Sequence, residues 1–109
     1  MSEVTIVTAA AAGAAARRRL LSSLARGETV EGVFFYADGI EAAADPDERH
    51  AWQALARRHR VPLILCAASA RRRGLAADGT APDGFELAGI DRFAALAEAA
   101  GRIDVAGRS

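Results

Sequence analysis

Short apolar runs alternate along the chain with polar, helix-like stretches. Val4-Thr5-Ile6-Val7-Thr8 is β-branched throughout and predicts a first strand, apolar enough for a sheet covered on both faces. Ala9 to Arg26 follows as the first helix, with Arg17, Leu20, Leu21 and Leu24 at helical spacing and Gly27 in the C′ position. Thr29 to Tyr36 is strand chemistry again, ended by the turn signal Asp38-Gly39.

Asp45-Pro46-Asp47-Glu48 reads as a helix start, with Asp45 as cap, Pro46 at the first position and Glu48 completing a capping box. The helix it opens places Glu48, Trp52, Leu55, Ala56 and His59 on one side, and Val61-Pro62 stops it before a third strand, Leu63 to Cys66. A short helix ending in Arg71-Arg72-Arg73 comes next. Leu75 to Gly84, with Asp78-Gly79, Pro82 and Asp83-Gly84, is a loop and a candidate for mobility. Phe85-Glu86-Leu87 continues as an extended segment. Ile90, Phe93, Ala94, Ala97 and Ala100 mark a last amphipathic helix closed by Gly101, and Ile103 and Val105 a terminal strand. The expected fold is α/β: a single-domain, three-layer α/β/α sandwich with a mainly parallel sheet of about five strands, spanning residues 1–109.

A chain of 109 residues holds one ordinary core and not two. Acidic and basic residues balance at 14 each, so neither strong nucleic-acid binding nor direct membrane binding is expected. All the basic residues are arginine, a bias that weakens any argument from arginine runs. The first apolar stretch follows Glu3 and precedes its arginines, the reverse of a secretory signal, and no run reaches the roughly 18 apolar residues of a membrane span. A cytoplasmic protein is expected, and a lone cysteine suits a reducing compartment.

That cysteine, Cys66, falls at a strand-to-helix junction, at the carboxyl edge where ligands gather in such sheets. Unpaired amides and the peptide dipoles of a helix start favour a thiolate there. A small hydrophobe at a strand end is the competing reading. With no second cysteine, any sulfur exchange involves another molecule. The amides of Ala68 and Ser69, with the Ser69 hydroxyl, are candidate stabilisers of a sulfur anion; Ser69 is equally a candidate helix cap. Arg71, Arg72 and Arg73 read either as helix-end cations or as a docking patch for an acidic partner. Asp38 is a possible edge of the site or simply a turn former. His50 and His59 have no recognisable spacing to Cys66. One cysteine and two scattered histidines make no metal cluster, and the Ala9–Gly13 turn lacks both nucleotide-loop fingerprints, so neither metal nor cofactor is expected.

Four stretches carry a family resemblance: Val33-Phe34-Phe35-Tyr36-Ala37-Asp38-Gly39; Ala51-Trp52-Gln53-Ala54-Leu55 running to His59; Leu65-Cys66-Ala67-Ala68-Ser69-Ala70-Arg71-Arg72-Arg73-Gly74; and Gly84-Phe85-Glu86-Leu87-Ala88-Gly89. In order and approximate spacing the chain resembles the TusD/DsrE branch of the DsrE/DsrF-like sulfur-relay proteins. The resemblance implies a sulfurtransferase whose Cys66 takes up a sulfane sulfur as a persulfide and passes it on, for tRNA thiolation or sulfur oxidation. It also implies an upstream persulfide donor, a downstream TusE/DsrC-like carrier, and assembly with DsrE/DsrF/DsrH-like or TusB/TusC-like subunits. The alternative it leaves is a non-catalytic assembly subunit. The chain departs from relatives in its alanine-rich first loop, a Leu75–Gly84 loop shorter than in some of them, and a tail without an apolar or aromatic ending.

Overall fold

The computed structural model describes residues 2–76 and 78–107. The β-branched and apolar runs form β1 (Ser2–Val7), β2 (Thr29–Phe35), β3 (Leu63–Cys66), β4 (Phe85–Ala88) and β5 (Arg102–Ala106). They pair in the order β4-β3-β2-β1-β5, and every pairing is parallel. Parallel neighbours need crossovers, and the polar stretches provide them as α1 (Gly13–Ala25), α2 (Glu41–Ala44), α3 (Pro46–His59), α4 (Ala67–Arg72) and α5 (Ile90–Ala99).

The alternation of strand side chains divides the core in two. Val33 and Phe35 of β2 and Leu63 and Leu65 of β3 face α1 and α3, where they meet Ala16, Leu20, Trp52 and Leu55. Phe34, Ile64 and Cys66 face the other way, towards Leu96 and Phe93 of α5. The three-layer sandwich is therefore present, with unequal outer layers. Among the described residues only α5 covers the second face, and Ile103 and Val105 of β5 stay 50% and 49% exposed beside it.

Local chemistry explains where the elements differ from the sequence expectation. The first helix begins at Gly13 rather than Ala9, because the alanine run offers no side-chain cap and Ala10–Ala12 winds as a tighter 3₁₀ turn. The turn after β2 is itself helical, a 3₁₀ turn over Ala37–Ile40 running into α2. Asp45 caps α3 as expected, accepting from the Glu48 N–H at 2.9 Å. Glu48 does not return the bond; its carboxylate pairs with Arg17 of α1 at 2.9 Å. The stripe of α5 turned to the sheet is buried Leu96 with partly buried Phe93 and Ala97, continued by Ala100 just past the helix, while Ile90 is 56% exposed because it stands at the helix's first position, clear of the sheet. The loop at 75–84 includes residue 77, and the tail residues 108 and 109 follow β5; these three lie outside the described residues, and so does the expectation of mobility as it concerns residue 77.

A charged cluster ties the last strand to the first. Glu3 is fully buried on the α1 side, and its carboxylate pairs with both Arg19 and Arg102. Arg19 also pairs with Asp104 and donates to the Thr5 hydroxyl at 3.1 Å, and Arg102 reaches Glu28 at 3.1 Å. A buried carboxylate is tolerable only with such partners, and these draw β1, β5 and α1 into one register.

Candidate functional site

Cys66 ends β3 and serves as N-cap residue of α4, with extended backbone angles of φ −62° and ψ 117°. In the parallel ladder it stands in register opposite Ala88, the last residue of β4. Because side chains alternate along a strand, its sulfur lies on the face of Ile64, against Phe34 and the α5 layer. It is 4% exposed and makes no capping hydrogen bond to the amides that open α4.

The other candidates fall around this rim. Ala68 and Ser69 are the second and third residues of α4. Ser69 is fully buried, and its hydroxyl neither caps α4 nor reaches the sulfur. It accepts from the Ala37 N–H at 2.9 Å, and Arg72 approaches it at 3.5 Å, so the side chain pins α4 to the turn after β2. Arg71 and Arg72 are exposed. Arg73 turns back to pair with Asp38 and, at 3.5 Å, with Glu41. Asp38 thus partners an arginine, and of the three arginines the structure brings Arg73 to it while Arg72 leans back towards Ser69. His50 and His59 belong to α3, in the layer opposite the cysteine's cluster. Among the described residues no three His, Cys, Asp or Glu side chains gather as a metal site.

Sequence reasoning missed the aromatic stack that runs from the sulfur's cluster to the surface. Tyr36, 38% exposed, stacks on Phe34 with ring centroids 6.4 Å apart, and Phe34 in turn meets Phe93 at 5.5 Å. The signal was available, since Phe34 and Tyr36 are two apart in an extended run and share a face. Two clefts lie elsewhere: one of about 170 Å³ between α1 and β5, and one of about 380 Å³ beside the end of α3, where Arg57 and Arg60 face Asp83. Cys66 lines neither.

An all-parallel α/β sheet with one thiol at the carboxyl end of an inner strand is the class of protein defined so far. Residues 1–103 match the DsrE/DsrF-like family, and the chain belongs to it. It is 38% identical over 89 residues to a protein of Vibrio vulnificus (strain CMCP6) named sulfurtransferase TusD homolog, covering 65% of this chain and 68% of that one. It is 37% identical over 95 residues to sulfurtransferase TusD of Erwinia tasmaniensis, covering 71% and 72%. It is 32% identical over 68 residues to the putative sulfurtransferase DsrE of Allochromatium vinosum, covering 55% and 52%. The crystal structure of the ychN protein from E. coli shares the fold, with a TM-score of 0.73 at 16% identity over 96% of this chain and 99% of that one. Among the described residues no helix is long and apolar enough to cross a membrane.

Proposed function

We propose that the chain is a sulfur-relay sulfurtransferase subunit, one DsrE-like domain that carries sulfane sulfur on Cys66. The observation that carries this reading is the placement of its only cysteine, at the end of an inner parallel strand and the start of a helix, in a chain 37–38% identical to proteins named sulfurtransferases. Uptake is a thiol exchange. The Cys66 thiolate attacks the outer sulfur of a donor persulfide, R–S–SH; a new S–S bond forms to Cys66, the donor's S–S bond breaks, and the donor leaves as R–S⁻. Delivery reverses the roles, an acceptor thiolate taking the outer sulfur and Cys66 leaving as thiolate.

The persulfide places its terminal sulfur about 2 Å beyond Sγ. In this reading the amides of Ala68 and Ser69, at the start of α4, receive that anion once the sulfur turns towards them. Arg71 and Arg72, both exposed, suit a docking surface for an acidic TusE/DsrC-like carrier. Arg73 and Asp38 then form the internal brace of the same rim. Assembly with TusB/TusC-like or DsrF/DsrH-like subunits, a cytoplasmic location and a destination in tRNA thiolation or sulfur oxidation complete the proposal.

The test is incubation of the purified chain with a persulfide donor. A gain of one sulfur atom, removed by reductant and mapped to the peptide bearing Cys66, supports it; Cys66→Ser must not gain it. An unmodified wild type that still assembles with partner subunits would leave only a scaffold role.

A further inference from the structure

A thiol that is 4% exposed cannot meet the persulfide of another protein until something moves, and the topology identifies what crosses in front of it. β4 is an edge strand and β3 its neighbour, while α5 packs over β1 and β2. The chain leaving β4 must therefore pass the end of β3 to reach α5. That end is Cys66, which stands in register opposite Ala88. Ala88, packed in the cluster that buries the sulfur, with Gly89 and Ile90 after it, thus makes the strap that carries the chain past that end.

The parts around Cys66 are held unequally. On one side α4 is fastened by the Ser69–Ala37 bond, by the pairing of Arg73 with Asp38 and Glu41, and by Ala70, which is 1% exposed. From Phe93 onward α5 is fastened, by Phe93 against Phe34 and by Leu96, 8% exposed, packed over Gly32. The near turn has little. Gly89 supplies no side-chain cap, Ile90 is 56% exposed, and the side-chain link across the turn is Arg92 to Glu86 at 3.0 Å, on the surface. A helix end with few buried contacts and no cap opens locally at small cost.

We propose that the strap from Ala88 through Arg92 is a gate over Cys66, latched by the Arg92–Glu86 pair and opened by fraying of the first turn of α5. Its biological meaning rests on the reading of Cys66 as the sulfur carrier. The gate itself is a property of the fold. A closed gate shields a bound persulfide from stray thiols, and a partner that engages the exposed Ile90 draws it open.

The experiment measures alkylation of Cys66, the only cysteine, by iodoacetamide in the full chain, so it needs no sulfur donor. Removing the latch with Arg92→Ala should raise the rate by about two- to fivefold, and Glu86→Gln should do likewise. Supplying a cap with Gly89→Ser should lower it by about twofold: its φ of −88° suits a capping serine, and the added carbon meets only the end of the exposed Asp91 side chain. In low urea the wild-type rate should stay nearly flat, since strap opening exposes little surface. Wild-type rates in all three variants, or a rate that climbs with urea as steeply as global unfolding, overturn the gate. Persulfide uptake is scored separately, so a working gate over a cysteine that never takes sulfur would sink the carrier reading alone.

Discussion

The hydroxyl of Ser69 accepts a hydrogen bond from the N–H of Ala37 at 2.9 Å, joining the helix after the cysteine to the turn after the neighbouring strand. Ala37 has φ +52°, a left-handed angle that L residues adopt reluctantly, and the bond helps hold it there. Ser69→Ala should lower unfolding free energy by about 1 kcal/mol, read from urea melts, since Ala37 is only half-buried and its amide can turn to water. It should also slow persulfide uptake more than its stability cost explains, because α4 loses its anchor.

Gly39 packs against the end of β1, where a methyl group would overlap the Val7 carbonyl oxygen. Backbone cannot step aside as a side chain can. Gly39→Ala should destabilise by about 2–3 kcal/mol, measured by chemical denaturation, although nothing about its φ demands glycine.

Trp52 is fully buried and meets Phe35 edge-on at 5.2 Å and 89°, while its indole N–H has no hydrogen-bond partner among the described residues. Trp52→Ala should cost about 3–5 kcal/mol. Trp52→Phe should cost far less, because it keeps most of the packing and removes an unpaired buried donor. Circular dichroism must follow both melts, as Trp52 is the only tryptophan.

Hydrogen bonding from Arg26, and after it from Arg102, holds the Glu28 carboxyl below the ordinary glutamate value of 4.5. An acid with a lowered folded value contributes stability above its unfolded value and loses it as pH falls through the folded one, where the unfolded chain binds more protons. The urea midpoint should therefore drop on acidification below about pH 4.5, and Glu28→Gln should flatten part of that drop.

Much of this was legible in the sequence because it is local. Asp45 before Pro46 announces a helix start through one side chain reaching a nearby amide, and that bond is present. The β-branched run at Val4 and the apolar run at Leu63 became inner strands of the parallel sheet. Long-range choices were not legible. Glu48 had two bonds open to it, to its own helix start or to Arg17 thirty-one residues away, and only packing decides between them. The face on which Cys66 falls follows from strand parity, but which helix covers that face depends on strand order. Ser69 carried the features of a cap, and the neighbouring turn claimed its hydroxyl first.

Glu3, fully buried, and its partner Arg102, half-exposed, stand 99 residues apart in sequence. A ribosome releases the acid long before the base that neutralises it, and β1 cannot receive its second neighbour until β5 emerges. β1 thus becomes an inner strand only when β5 arrives, and until then the newborn sheet waits with a buried-to-be acid on its open edge.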